Sequence, residues 1–481
     1  MIAIASQRRL KRIQVPPASD QILTVAQMRA GEDALIAAGT SVDQLMQTAG
    51  RGAAERVWRM AAGRAVTVLC GPGNNGGDGY VIAEAIREKG GSVQVIATTE
   101  PRTDAARKAR ALFGGDLLGS DAAAKGEILV DCLFGSGLTR SLRDGDFALL
   151  SRLAANHHTR IAIDLPSGVA SDTGLALNVQ LPDYALTIAL GAWKYAHFLM
   201  PAAAKMGALR LTGIGVEAVS GAAQVLRQPH FAAPAPDEHK YKRGLLGVVG
   251  GEMCGAAVLA ARAAQGAGAG YVKLLYEGQA ELLPPDLVSD RRALDIALDD
   301  RRWAALLVGP GLGRDLFSIE RLTLTLGAGV PTVVDADALM VIGPDLISSH
   351  HSPLVATPHE GELVALERAF ECGSGGSRAE RARTLAGASG MVVVAKGPDT
   401  VIAAPDGRSV IAPRASSWLS TAGTGDVLAG TIASRLACRV EAFEAACQGV
   451  WLHGEAARLT GPVFTAGQLA GTIASAYAAC L

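Results

Sequence analysis

The sequence predicts an α/β protein of two domains, the first built on a doubly wound parallel sheet and the second on a further α/β unit. Three observations predict it. Short apolar, β-branched runs alternate with helical periods along the chain. The chain has 481 residues, 49% of them apolar, enough for two or three cores at roughly 150 residues per domain. Glycine reaches 57 residues while aromatics make up only 4%, a balance that suits turn-rich α/β architecture.

The elements follow in order. The run 65–70 (AVTVLC) reads as a buried strand, followed by a Gly-rich loop at 71–79 and a helical period in YVIAEAIREKG. SVQVIAT, a charged helix around DAARKARALF, EILVDCLFGSG and IAIDLPSG continue the rhythm, and 178–216 reads as further strands. Apolar runs separated by helices indicate a parallel sheet covered on both faces. Residues 217–238 lose the period and gather Pro229, Pro234 and Pro236. A domain boundary is expected there, giving domains 1–222 and 232–481. The rhythm then restarts with LLGVVGG, a helix through AAVLAARAAQ, YVKLLY, AALLVGPGLG, PTVVDADAL, PLVATPHEGEL and MVVVAKGPDTVIAAP. GRSVIAP, after Pro405-Asp406-Gly407, reads as a hairpin return.

Composition excludes several classes. Lys+Arg is 45 and Asp+Glu is 46, so the cationic excess of a duplex-binding protein is missing and no nucleic-acid partner is expected. Low charge and high apolar content exclude disorder. The seven Cys are irregularly spaced and form no CxxC, which reads as buried free thiols in a reducing cytosol. Arg8, Arg9, Lys11 and Arg12 are followed by no apolar run, so no secretory signal is read. No membrane span is expected, and the chain reads as cytoplasmic.

The loop GPGNNGGDG (71–79) carries five glycines in nine positions between a strand and a helix. Such a backbone turns tightly, and the helix start offers free N–H groups to an anion. Gly71, Gly73 and Gly76 also fit a dinucleotide-type turn, with Glu100 as a loose candidate acid, but that match is weak. No Walker Lys-Ser/Thr follows, which excludes a P-loop ATPase. Asn74, Asn75 and Asp78 exceed what a simple dinucleotide turn needs. Asp131 and the Asp164/Ser167 pair lie at two further strand ends, which converge on one crevice in an open parallel sheet. Asn75, Asp131 and Ser167 could thus face one another with oxygens suited to a hard cation. Each Asp alone also suits a helix cap or a turn.

GPGNNGGDG, VDCLFGSG (130–137) and IDLPSGVASDTG (163–174) resemble the NAD(P)H-hydrate epimerase domain, as do residues 23–50 and Lys194 in GAWKYA. The likeness covers about 23–216 and implies a Rossmann-like sheet. It implies potassium at Asn75, Asp131 and Ser167. It puts Asn74, Asn75, Gly76, Gly77 and Asp78 on the hydrated nucleotide, with Gly135, Ser136, Gly137, Leu138, Thr139 and Arg140. Asp164 is the implied acid/base at the hydroxylated ring carbon. Departures from the family fall at Lys194-Tyr195-Ala196 and Gln47-Thr48.

In the second half, TAGTGD (421–426) opens a strongly apolar helix. Gly423, Thr424 and Gly425 could present successive N–H groups to an anion, with Asp426 as base. Asp426 alone would also suit the helix dipole. GPGLG (309–313), TPHEGE (357–362) and KGPDT (396–400) follow three strands, as a nucleotide crevice needs. His359 belongs to no HExxH, which excludes zinc-protease chemistry.

Gly-Thr-Gly-Asp is shared with ribokinase-like kinases. The full set, with DADAL (335–339), resembles the ADP-dependent NAD(P)H-hydrate dehydratase over about 239–475. That likeness implies a ribokinase-like domain. It places Lys396, Gly397, Pro398, Asp399, Thr400 and Gly425 on ADP, which carries magnesium. Ala256, Gly311, His359 and Asp426 are then on the hydrate, with Asp426 as base. GGEMCGAA (250–257) and RASSWLS (414–420) depart from the family pattern.

The two likenesses together imply metabolite repair. One domain interconverts the R and S hydrates of NADH and NADPH, and the other dehydrates the S hydrate while ADP becomes AMP and phosphate. The expected partners are these small molecules and further copies of the chain, as a homo-oligomer. One rival is a ribokinase-like vitamin or sugar kinase with an appended nucleotide-binding domain. It predicts a stable phosphorylated product, and the TPHEGE and KGPDT pair argues against it. A non-catalytic nucleotide sensor would dispense with Asp164 or Asp426, and both are present.

Overall fold

The computed structural model describes residues 18–124, 126–278 and 283–481. The basic stretch with Arg8, Arg9, Lys11 and Arg12 lies outside them. The chain divides into two compact units. The first holds the described residues through His197 with Ala204–Gln224, and the second holds Phe198–Ala203 with Val225–Leu481. Phe198–Ala203 therefore leaves the first unit although its neighbours on both sides stay in it. Among the described residues no helix is long and apolar enough to cross a membrane.

Two helices precede the main sheet of the first unit, Val25–Ala37 and Val42–Ala61. Each begins with a capping box, Thr24 with Gln27 and Ser41 with Gln44, so two orphan amides are satisfied reciprocally. The sheet has seven strands, all paired in parallel. From one edge they are Asp116–Leu118, Val93–Ala97, Val66–Cys70, Gly126–Cys132, His157–Ile163, Leu186–Leu190 and Ala208–Thr212. The order reverses between Val66–Cys70 and Gly126–Cys132, where crevices form in open α/β sheets. Helices Asn74–Glu88 and Asp104–Leu112 follow the strands that the charge and apolar patterns placed before them.

The second unit repeats the plan. Parallel strands run Val288–Asp290, Tyr271–Leu275, Leu245–Val249, Trp303–Val308, Thr332–Val334, Leu354–Ala356 and Val392–Ala395. The order turns between Leu245–Val249 and Trp303–Val308. Val401–Ala403 and Ser409–Ile411 extend the sheet as an antiparallel hairpin, with Gly407 at φ 91° in its turn. Helices Cys254–Gly266, Thr424–Ala437 and Ala442–Thr460 bury Ala, Val, Leu and Ile on the sheet and on one another.

Glycine sets both switch points. A Cβ on Gly76 would lie 1.9 Å from the Gly71 carbonyl oxygen, and one on Gly71 would lie 1.8 Å from that of Leu133. In the second unit Gly309, at φ 125°, would put a Cβ 1.8 Å from the Asp335 carbonyl oxygen. Only a residue without Cβ allows these backbone approaches. Gly76→Ala should therefore cost the first unit about 3 kcal/mol, at the upper end for overpacking. Thermal unfolding checks this by a lowered transition of that unit with the other unchanged.

Candidate active sites

The first site sits above the strand ends of the seven-stranded sheet. Asp164 follows strand His157–Ile163 at φ 64°, a left-handed conformation that Asp tolerates better than most residues. It is only 6% exposed. Its Oδ1 accepts from Lys194 Nζ at 2.5 Å and its Oδ2 from the Ser136 amide at 3.0 Å. Lys194 is itself buried and donates to the Leu190 carbonyl at 2.6 Å. His197 Nε2 donates to the Asp164 carbonyl at 2.8 Å, while its Nδ1 accepts from the Lys194 amide at 2.9 Å. Burial, then the Lys194 charge, press the His197 pKa down to about 4, so the ring is a neutral strut.

Electrostatics divide the carboxyls of this site. Burial alone would raise the Asp164 pKa. The charge and hydrogen bond of Lys194, with smaller help from the Ser136 amide, outweigh burial and hold it below the usual range. Asp78, in the first turns of helix Asn74–Glu88, goes the other way. Burial and then the charges of Asp164 and Glu32 push it well above the carboxylate range. Glu32, on helix Val25–Ala37, is also raised, chiefly by burial.

The three oxygen-bearing residues expected to face one another divide into a pair and a neighbour. Ser167 Oγ donates to Asp131 Oδ1 at 2.7 Å and the Ser167 amide to Oδ2 at 3.0 Å. Tyr184 OH and the Leu133 amide complete the shell of Asp131. Asn75 reaches the opposite rim. A Cβ on Gly135 would be 3.2 Å from Asn75 Oδ1 and 3.0 Å from Asp164 Oδ2, so this glycine leaves room for both. Both polar atoms of the Asn75 amide are buried without a hydrogen-bond partner. Asn74, Gly137, Thr139 and Arg140 are exposed, Gly135, Ser136 and Leu138 half-buried, and Gly76 and Gly77 buried in the helix start. Glu100, the loose dinucleotide acid, is 81% exposed and pairs with Arg110.

In the second site the strand ends bring Asp335, Thr357, Lys396 and the helix start at 424–426 together. Asp335 is buried, and its Oδ1 accepts from Lys396 Nζ at 2.7 Å and from Thr357 Oγ1 at 2.6 Å. Lys396 also lies 3.7 Å from Glu362 Oε2. Its Nζ would be 3.5 Å from a Cβ on Gly425, directly beside the anion loop. Burial lowers the Lys396 pKa less than Asp335 and Glu362 raise it, so the ammonium stays charged.

The loop itself corrects one expectation. The Thr424 amide donates to the Thr421 carbonyl at 3.3 Å, so it is not presented to a ligand. Among the described residues no protein acceptor takes the Gly425 and Asp426 amides, and those two remain for an anion. His453, pressed to a pKa of about 4 chiefly by burial, donates from Nε2 to the Thr424 carbonyl at 2.9 Å and fixes the loop from below. Asp426 is half-buried. Burial and the Asp335 charge push its pKa up to about 7, against the pull of Lys396.

Other expected residues have structural as well as site positions. His359 caps helix Glu360–Ala369, its Nδ1 accepting from the Glu362 amide at 3.2 Å while Glu362 takes the His359 amide at 2.7 Å. Gly311, at φ 61°, lies against Met253, whose amide donates to its carbonyl at 2.9 Å. Ala256 is half-buried in the first turn of its helix. In 396–400, Gly397 and Pro398 are exposed, and Thr400 Oγ1 donates to the Gly397 carbonyl at 2.8 Å. Asp399 turns inward, pairing with Arg378 at 3.1 Å and accepting the Met200 amide at 2.9 Å. Its carboxylate therefore shapes the loop and does not face out of it. Reading the residues alone missed Glu32, His197 and Asp335. Only the DADAL strand end pointed toward Asp335.

A charged lysine beside free helix-start amides, with a carboxyl poised near neutrality, is what an enzyme needs to handle a phosphorylated small molecule. The first unit adds a second enzymatic crevice with a different proton state. Comparison with known proteins agrees with both. Residues 42–196 match the family model described as YjeF-related protein N-terminus, and 246–477 match that described as NAD(P)H-hydrate dehydratase. The chain is 32% identical to the bifunctional NAD(P)H-hydrate repair enzyme Nnr of Mycobacterium leprae (strain TN), over 91% of this chain and 93% of that one. It is 31% identical to the enzyme of the same name from Escherichia coli (strain K12), over 92% and 90%. A solved ADP/ATP-dependent NAD(P)H-hydrate dehydratase from Bacillus subtilis, co-crystallised with ATP/Mg2+, is 27% identical. It covers 52% of this chain and 95% of its own, with a TM-score of 0.46. The chain belongs to the bifunctional NAD(P)H-hydrate repair enzymes.

Asp335 is the second-largest cause of the raised Asp426 pKa. Asp335→Asn removes that charge and frees Lys396 to face Asp426, so the Asp426 pKa should fall from about 7 toward the ordinary range. A carboxyl titration by carbon-13 NMR checks it.

Proposed function

We propose that the first unit interconverts the R and S hydrates of NADH and NADPH, and that the second dehydrates the S hydrate at the expense of ADP. The observation that carries this is the different setting of the two aspartates, Asp164 bonded directly to Lys194 and Asp426 at a helix start with free amides. Asp164 is held ionised by a buried lysine, while Asp426 is poised near neutrality beside an anion loop.

The dehydration follows from leaving-group chemistry. Expelling hydroxide is difficult because its conjugate acid has a pKa of ~15.7. Phosphate, with a second pKa of ~6, leaves far more readily. Asp426 takes the hydroxyl proton of the hydrate, and the oxygen attacks the terminal phosphoryl group of ADP. The bond to the departing AMP breaks as the new P–O bond forms. The Gly425 and Asp426 amides and Lys396 offset the charge at that phosphoryl group. Phosphate then leaves the ring carbon, a neighbouring ring proton is lost, and NAD(P)H remains.

We assign ADP to Gly425 and the loop Lys396–Thr400, with Asp399 holding the loop's shape. Ala256, Gly311, His359 and Asp426 take the hydrate. In the first unit, 74–78 and 135–140 take the hydrate and Asp164 acts at its hydroxylated carbon. Magnesium comes with the nucleotide phosphates, its main ligands. Potassium fits at Asn75, Asp131 and Ser167. The Asn75 amide is buried without a partner, and among the described residues Asp131 has neutral donors but no cation. When bound, the ion supplies the missing positive charge and steadies the loop beside Asp164. The seven free cysteines fit a reducing cytoplasm.

With hydrated NADH and ADP, reduced-nicotinamide absorbance should return. Asp426→Ala should abolish it while epimerisation, followed by chromatography of the two hydrates, continues. Asp164→Asn should reverse the pattern, at a cost of at least about a hundredfold in epimerisation. Equal loss of both activities in a folded variant contradicts the division.

A further inference from the structure

Asp78 is 8% exposed, yet its carboxyl makes no hydrogen bond and no ion pair among the described residues. Its oxygens are also absent from the sealed, unpartnered atoms of the interior. They therefore border open space. Asp78 stands in the first turns of a helix that starts at the same end of the sheet as Asp164, and the charges of Asp164, Glu32 and Lys194 reach its carboxyl. Leaving a buried polar group unpaired costs about 1–3 kcal/mol. No structural contact of this side chain offsets that cost.

The fold places Asp78 and Asp164 on two sides of one groove. Asp78 belongs to the helix that follows strand Val66–Cys70, and Asp164 follows strand His157–Ile163. Strand Gly126–Cys132 lies between them, pairing with both. Two strand spacings separate the flanking strands by about 9–10 Å. The loop after the central strand passes below, where Gly135 keeps the floor clear. The two carboxyls thus belong to segments that flank the central strand on either side.

We propose that Asp78 is a second catalytic residue of the epimerase, the carboxylic acid that serves the face of the hydrate ring opposite Asp164. This rests on the epimerase reading above. In one direction Asp78 gives its proton to the ring hydroxyl, and the C–O bond breaks with its electron pair going to oxygen. Water departs, leaving a planar carbon whose positive charge is shared with the ring nitrogen. A water on the other face adds to that carbon, and Asp164 accepts its proton. The pair has then exchanged one proton, and proton exchange with solvent water, taking the proton from Asp164 and returning one to Asp78, resets it before the next turnover. The proton inventory fits: burial and the nearby carboxylates keep Asp78 protonated, while Lys194 keeps Asp164 ready to receive.

The test uses the full-length chain and pure R hydrate, with dehydration of pure S hydrate as the control for folding. Asp78→Asn should lower epimerisation kcat by about a hundredfold or more and leave S-hydrate dehydration unchanged. Its first-unit melting temperature should hold or rise, because an unpaired buried carboxyl is removed. Asp78→Glu should recover part of the rate. Wild-type epimerisation in oxygen-18 water should carry label into the hydrate. Undiminished epimerisation by Asp78→Asn overturns the proposal, as does label-free epimerisation by the wild type. A rate lost in Glu32→Gln but kept in Asp78→Asn overturns it in favour of the other carboxyl. A wild type that does not epimerise at all defeats the underlying reading instead.

Discussion

A lysine paired to a buried aspartate at a strand end organises each half of this protein. Lys194 holds Asp164 in the first unit, and Lys396 holds Asp335 in the second. Neither ammonium could be taken from water alone. Breaking one partner of a buried pair typically costs about 3–5 kcal/mol. The pairs are therefore strong constraints on where the surrounding loops lie. In the first unit that constraint reaches Ser136 and Leu190, and His197 braces Asp164 through its backbone. In the second it reaches Thr357 and Glu362.

The same device has opposite outcomes because the lysine faces different groups. In the first site Lys194 binds Asp164 directly, so that carboxyl stays ionised. In the second, Lys396 is occupied by Asp335 and Glu362, and Asp426 meets burial and the charges of those two and Asp337 with only part of the lysine's field. One aspartate becomes a resident anion and the other a base that titrates near neutrality. The epimerisation and dehydration proposed above need those different states. The glycines at both switch points let backbone segments approach one another closely beside these carboxyls.

Much of this was legible in the residues themselves. Strand and helix alternation is strongly periodic, and the loop motifs fall at strand ends, so the two sheets and their crevices followed. Asp164 and Asp426 stood out because they sit within glycine-rich strand-end strings. Glu32 did not, because it lies on a mostly exposed helix far along the chain from 164, where an acid reads as solvated surface. His197 and Asp335 act through contacts made only on folding. Asp399 looked like a ligand contact in KGPDT, but the fold turns it onto Arg378 and the Met200 amide. Thr424 looked like an amide donor, but the helix start winds tightly enough to bond it to Thr421. Motifs mark where chemistry is held. They do not show which way each group points.

The central claim is that the buried lysine, not the aspartate's own preference, sets the proton state of the first site. The acid limb of the epimerisation pH profile measures this directly in wild type and in Lys194→Met. With the lysine gone, burial governs Asp164 and its pKa rises, so the limb should move toward neutrality and the rate in acid should collapse first. An acid limb that stays in place, in a variant that remains folded and active, would contradict the account.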